Sequence, residues 1–469
     1  MASSAPPPPV GGGRSTLASA FGLLFTCAAG AGLLSYPFAA LQQGLLLNAA
    51  LTCAFAALNL LTDFSLVQTG ALFRAAGALR EGTFEELCFR ALGRRAYVAG
   101  VAIIVVGVFG ALVGYSIVVG DMLEPVAQHL CGGGAGGCGA LQPLASRAFL
   151  IPAFALVVAL PLSSLRRLHS LAWTNVLAAA SVLAVAALVA SRGAGRLGSG
   201  AGAVVGATAG APGPAAADGA ADAPLVLARF EAVGVLLGIP ISIFSLGNHS
   251  QVVASYVDLP ARDQRRFLRP LVGALLACVA LYVGCGVFGY AAFRDATRGD
   301  VLLNFPVGAD PAADAAKALL GLHIMLAYPV LLTPARWSIA TLLRATAASA
   351  SAAPSASASA SAAAAPSAAV AAFARSTLLQ SALLVSSSAL LAVVAPQVTV
   401  VFGLVGSTVA TAQIYILPGL CLLKWAEAWA AAEARGTAGA QPQGERRTGI
   451  CAPRGRRRRS RSKGRRRPR

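Results

Sequence analysis

The chain has 469 residues, of which 57% are hydrophobic and 12% charged, and a formal net charge of +19 at pH 7. About a quarter of a soluble domain is charged, so this composition excludes one. Repeated apolar runs of about 20 residues, the length that crosses hydrocarbon as a helix, mark an integral membrane protein with many helical spans, and the short alternating strands of a membrane barrel are missing.

Residues 1–16 are rich in Pro and Gly and read as a disordered tail. The first span is expected over 17–42. A signal peptide after Arg14 is conceivable, but no convincing cleavage site follows, so the run is kept as a span. Inside it lies GAGLLSYPFAALQQG (Gly30 to Gly44), with Gly30-Ala31-Gly32 followed by Pro37. Glycine loosens a helix and proline lacks a donor that a helix expects, so two breakers in one apolar run predict a discontinuous span. Unwound backbone at membrane depth is tolerated only where it lines a cavity or is buried in protein. Its free N–H groups, with the positive end of a half-helix, suit a substrate carboxylate. The other reading is a kinked helix packed closely on a neighbour.

The second span covers 44–70, and a loop with Arg74, Arg80, Arg90, Arg94 and Arg95 covers 71–96. The third span covers 97–123, and the Gly-rich loop after it contains CGGGAGGC, where Cys131 and Cys138 suit a local disulfide if the loop is outside. The fourth span covers 147–163 and the fifth 168–191; a bland Gly/Ala-rich loop runs over 192–224. The sixth covers 226–256 and is interrupted at SLGNHS (Ser245 to Ser250). The seventh covers 268–293, and the loop 294–315 carries Asp295, Asp300, Asp310 and Asp314. The eighth covers 316–343, an Ala/Ser-rich linker 345–370, the ninth span 372–395 and the tenth 398–423. The domain 17–423 is thus followed by a basic tail, 424–469.

Lys and Arg concentrate in alternate loops, which places both termini in the cytoplasm and requires an even number of spans. The Arg-rich tail suits anionic lipid headgroups, and no nucleic-acid partner is expected. No phosphate-binding Gly-Lys-Ser/Thr loop, nucleophile set or Cys/His metal spacing is present, so neither an enzyme nor a cofactor is expected. Ten spans divide as five plus five, and each half opens with an interrupted helix, the sequence pointer to a transporter site. An odd number of spans per half requires the halves to be inverted relative to each other.

In order along the chain, GAGLLSYPFAALQQG, FGALVGYSIVVGDML (Phe109 to Leu123), PLSSLRRLHSL (Pro161 to Leu171), FSLGNHSQVVASYVDL (Phe244 to Leu259), GVFGYAAFRD (Gly286 to Asp295), AYPVLLTPARWSI (Ala327 to Ile339) and FGLVGSTVATAQIYILPGL (Phe402 to Leu420) resemble the amino acid/auxin permeases, nearest to sodium-coupled neutral amino acid transporters. The resemblance implies an all-α, leucine-transporter-like five-plus-five inverted repeat that transports amino acids, in a plasma membrane or a vacuolar/lysosomal-type membrane. The family's eleventh helix has no counterpart here. Sodium-dependent relatives carry Asn where this chain has Thr26 and a hydroxyl where it has Ala327, which leaves H+ or Na+ as the coupling ion, with Thr333 a possible compensating oxygen. A sensor with the same fold and little transport is the alternative.

Gly30, Ala31 and Gly32 are expected to present N–H groups to the carboxylate, and Phe244, Ser245, Gly247 and Asn248 to face the α-ammonium and the side chain. The polar groups of the sixth span can instead bond neighbouring helices. His249 is either a proton carrier or a neutral gate, and Asp63 either a structural hydrogen-bonding group or a proton carrier. Asp121 reads as a helix-end carboxylate, His323 as a packed residue, and Tyr36, Tyr115 and Tyr328 as either cavity-closing or packing aromatics.

Overall fold

The computed structural model describes residues 15–75, 82–131, 139–164, 172–197, 204–205, 224–351, 373, 376–395 and 397–434. Residues Met1–Trp425 form one compact unit; of the second, Ala426–Arg469, the described part is the end of the last helix. Nine helices among the described residues are long and apolar enough to cross a membrane, and a bent pair makes a tenth span.

That bent pair is the first span. Its first arm, Leu17–Ala28, starts on a reciprocal cap in which Thr16 Oγ1 accepts from the Ser19 N–H and Ser19 Oγ accepts from the Thr16 N–H. The arm stops before Gly30, whose backbone is extended, and a 3-10 turn over Ala31–Ser35 leads into the second arm, Tyr36–Gln43. The arms meet at 44°. Pro37 sits in the first turn of the second arm, where a missing N–H costs nothing. It therefore starts that arm and is not the second breaker expected from sequence. Gly44 ends the arm at φ 79°, a left-handed conformation that glycine adopts freely.

The sixth span is also broken, into Ala232–Ser245 and His249–Val257. Helix breaks at the first and sixth of ten spans give the five-plus-five order. The remaining spans are Leu45–Ala75, Arg94–Leu130, Arg147–Ser164, Ala172–Leu197, Leu268–Phe293, Pro311–Ser351, Thr377–Val394 and a last one from Val398 that runs through two π-helical turns into Leu417–Ala434.

Several boundaries differ from the sequence reading. The 71–96 loop contains an amphipathic helix, Phe84–Leu92, which buries Phe84, Leu87 and Cys88. Thr83 caps its start, Glu85 and Glu86 occupy the first turn and Arg90 the last, each charge matching the helix dipole. Nine residues are too short for periodicity to separate from a charged loop. The fifth span runs on to Leu197, and the eighth starts at Pro311 and takes in the first residues of the 345–370 linker. Val204–Val205 pairs in parallel with Val226–Ala228, the one β ladder among the described residues. Cys138 and most of the basic tail lie outside the described residues, so the proposed Cys131–Cys138 bridge and the lipid contact do too.

Lipid is as apolar as leucine, so helices in a bilayer associate through close packing of small residues and buried polar contacts. Both devices are visible. A Cβ on Gly406 of the last span would collide with the Pro240 carbonyl, and one on Gly289 would lie 2.7 Å from Pro37 Cβ. Tyr36 stacks on Tyr282 with ring centroids 4.6 Å apart. At the end of the third span remote from the Phe84–Leu92 helix, Asp121 pairs with Arg147 at 2.7 Å, while the Arg147 N–H donates to Glu124 at 3.2 Å. Nearby, Lys317 donates to the Phe305 carbonyl and Asp300 accepts from the Leu302 N–H at 2.8 Å.

Candidate substrate and ion site

The two breaks meet on one cavity of about 1050 Å3. Gly30, Ala31 and Gly32 line it from the first span, Phe244, Ser245, Gly247 and His249 from the sixth, and Thr333 from the eighth. Its walls include Tyr115 of the third span and Gln413 of the last. The lining runs along the third span from Arg94 to Tyr115, so the cavity opens beside the Phe84–Leu92 helix, with Glu85, Glu86, Arg90 and Arg94 near its mouth. Asp121 and Arg147, at the other end, do not line it.

At the first break the chain is held by a phenol from the seventh span. The Tyr282 hydroxyl donates to the Ala28 carbonyl at 2.5 Å and accepts from the Gly30 N–H at 3.3 Å. One of the three N–H groups expected to face a carboxylate is therefore already engaged. The N–H groups of Ala31 and Gly32 open the 3-10 turn, where no preceding carbonyl is in register, and have no acceptor among the described residues. These two donors are the ones available to an anion. Gly32 is also where the two broken spans touch: a Cβ there would collide with Ser245 Oγ and lie 2.9 Å from Ser245 Cβ. Gly30 differs, since a Cβ there meets nothing within 4 Å.

At the sixth break the freed carbonyls are satisfied from other spans. Asn59 of the second span donates its amide to the Leu246 carbonyl at 2.9 Å, and the Cys27 thiol lies 3.8 Å from the Gly247 carbonyl. Phe244 stacks on Phe402 with centroids 4.5 Å apart, making one wall of the site. Asn248 is buried away from the cavity, and its Oδ1 has no partner. His249 begins the second arm. Its Nε2 lies 2.7 Å from Thr62 Oγ1 and 3.3 Å from Asp63 Oδ1, with both side chains of the His–Asp pair fully buried.

The remaining expected residues separate. Thr26 Oγ1 donates to the Gly22 carbonyl of its own helix at 2.8 Å, and Thr26 does not line the cavity. Thr333 Oγ1 donates to the Pro329 carbonyl at 3.0 Å and faces Arg336 at 3.4 Å. Of the tyrosines, Tyr115 lines the cavity, whereas Tyr328 bonds Ser388 at 2.7 Å and Tyr36 packs on Tyr282. His323 bonds Ser181 at 2.9 Å, a packing role. Tyr282, Asn59, Thr62 and Gln413 were not anticipated from sequence. Asn59 and Asp63 are four residues apart on one helix, a spacing that places both on one face and was the available signal.

A family model described as "Transmembrane amino acid transporter protein" matches residues 13–435. Sodium-coupled neutral amino acid transporter 7 of Xenopus laevis is 27% identical over 416 residues, covering 88% of this chain and 81% of its own length. Solute carrier family 38 member 8 of Mus musculus is 25% identical over 320 residues, 68% of this chain and 66% of that protein. An amino acid transporter of Arabidopsis thaliana is 27% identical over 350 residues, 72% of this chain and 71% of its own. Among solved structures, MhsT in complex with L-phenylalanine aligns at a TM-score of 0.48 and 16% identity, covering 92% of this chain and 93% of MhsT. The match over residues 13–435, together with ten spans broken at the first and sixth, identifies the chain as a member of the transmembrane amino acid transporter protein family.

Proposed function

We propose that the chain is a secondary active transporter of neutral amino acids that works by alternating access and is coupled to H+ or Na+. The observation that carries this reading is the convergence of both helix breaks on one cavity, with the Ala31 and Gly32 N–H groups unengaged there. Those donors suit the α-carboxylate, and the Ser245 and Gly247 backbone lies opposite for the α-ammonium. The acidic and arginine lining residues stand at the mouth; beside the breaks the walls are apolar, amide or hydroxyl apart from His249. A side chain carrying net charge would find no partner there, and burying it unpaired is costly.

The cavity opens at one end, while the Asp121–Arg147 pair holds the other. Alternation requires the first and sixth spans, joined at Gly32 and Ser245, to move together. For the coupling ion, Thr333 and His249 line the cavity, while the Thr26 hydroxyl is turned into its own helix. The termini and the basic tail are assigned to the cytoplasm, where the tail meets anionic lipid, by the loop charges.

Uptake of radiolabelled neutral amino acids into proteoliposomes, with a pH gradient or a sodium gradient imposed, tests the proposal. Accumulation under one gradient is expected. Substrate binding with no uptake under either would identify a sensor, and no binding at all would remove the site assignment.

A further inference from the structure

We propose that Asp63 and His249 form a shared-proton site, and that this pair rather than a sodium ion holds the coupling cation. This rests on the transport reading above and names its ion. The pair joins two spans: Asp63 on the second and His249 at the start of the second arm of the sixth. The Asp63 carboxylate is fully buried, 3.3 Å from His249 Nε2, and no lysine or arginine nitrogen among the described residues lies within 4 Å of it. Neither carboxylate oxygen has a well-aligned hydrogen bond. An ionised carboxylate with no cation is expensive at this depth.

One proton resolves the difficulty in either of two arrangements. A protonated Asp63 can face a neutral imidazole, or an ionised Asp63 can face an imidazolium. Both are net neutral, and they differ only in whether the shared proton sits on an Asp63 oxygen or on the imidazole. Thr62 Oγ1 donates its proton to the Asn59 carbonyl at 3.0 Å, so at 2.7 Å from Nε2 it is placed to accept from a protonated Nε2. Loss of the proton leaves a net negative pair, which the positive end of the His249–Val257 arm makes attainable.

The surroundings add no competing charge. Asn59 and Thr62 flank Asp63 on its own helix, and Asn248 flanks it from the sixth span. Cys27 of the first span and Tyr415 of the last lie close enough to feel the carboxylate's charge. Thiols and phenols ordinarily titrate above neutrality, near 8.5 and 10, so neither supplies charge at pH 7. The Phe84–Leu92 helix packs on the same arm, but its Glu86 and Arg90 are paired with each other at 3.9 Å. His249 lines the cavity and Asp63 does not. The imidazole itself is fully buried, so a proton reaches Asp63 through it only when the sixth-span arm moves to open that route. Proton binding is thereby tied to the segment that contacts substrate.

The test uses the full chain in proteoliposomes containing a trapped pH dye, with and without sodium. Wild type should move protons with substrate, and its apparent KM should depend on pH. Asp63→Asn should lower substrate-driven proton flux by about tenfold or more and flatten the pH dependence, while substrate still binds. If Asp63→Asn does not insert, Asp63→Glu, with the same charge one methylene further out, should shift the midpoint of the pH profile. The inference is overturned if either variant keeps the wild-type proton flux and pH profile, or if wild-type uptake needs sodium and ignores pH. Absence of any uptake or exchange by wild type would instead sink the transport reading itself.

Discussion

The two helix breaks look alike in sequence but are stabilised in different ways. The first is held by one neutral phenol, Tyr282, which takes the Ala28 carbonyl and the Gly30 N–H and leaves the Ala31 and Gly32 donors facing the cavity. The second has its carbonyls met by Asn59 and Cys27 and is followed at once by a buried titratable pair. The first break thus leaves two backbone donors unengaged, while the second has its freed carbonyls met and lies beside a buried His–Asp pair. In the proposed reading the first serves the substrate carboxylate and the second the coupling ion.

That comparison can be broken most sharply where the two breaks touch. Gly32→Val would drive a side chain into Ser245 and separate the broken spans, so uptake should fall to background while membrane insertion persists. Overpacking of this kind ordinarily costs about 1–3 kcal/mol. The smaller Gly32→Ala should lose less and regain uptake when combined with Ser245→Gly, which vacates the colliding atoms. Failure of that rescue would show that the contact with Ser245 is not what Gly32 is needed for.

Tyr282→Phe tests the first break by itself. It removes one of two hydrogen bonds to the Ala28 carbonyl, leaving the Gly30 N–H at 2.9 Å, at about 0.5–1.5 kcal/mol, and should lower the midpoint of thermal unfolding along with uptake. Asn59→Leu does the same to the second break through the Leu246 carbonyl, with a comparable loss of stability. If the division of labour is right, Tyr282→Phe weakens substrate affinity and leaves the ion dependence in place. Asn59→Leu, four residues from Asp63, should shift the pH profile.

The smallest effect is expected remote from both breaks. Asp300 lies outside the spans, and burial, helped by the nearby Asp121 charge, raises its carboxyl pKa to about 7. The folded protein thus holds a proton that the unfolded chain releases near pH 4. Stability from this group should fall as pH rises from about 4 to about 7 and stay level above it. Asp300→Asn should remove that slope in a pH series of thermal unfolding; an unchanged slope would assign it to another group.

Much of this architecture was legible in the sequence. Glycine pairs, or a glycine among polar residues, mark a broken span inside an apolar run whatever they pack against, so Gly30-Ala31-Gly32 and Ser245–Ser250 were readable directly. The partners were not, because pattern reading sees only local spacing. Tyr282 reaches Gly30 across 252 residues, and Thr62 reaches His249 across 187. Pro37 misled for a related reason: proline at the start of a helix and proline inside one look the same until the break itself is located. Thr26 was expected to offer an oxygen to a sodium ion, but a hydroxyl inside a helix can bond back to its own turn, as this one does to Gly22.

The most direct test of the central claim uses Gly30, which lines the cavity at an extended φ of −118° and where an added Cβ meets nothing within 4 Å. Gly30→Leu should therefore insert and fold as wild type does while filling the space beside the Ala31 and Gly32 donors. Uptake of radiolabelled neutral amino acid into proteoliposomes, normalised to inserted protein, should be robust for wild type and at background for Gly30→Leu. Equal uptake by the two proteins would contradict the placement of the substrate at the first break.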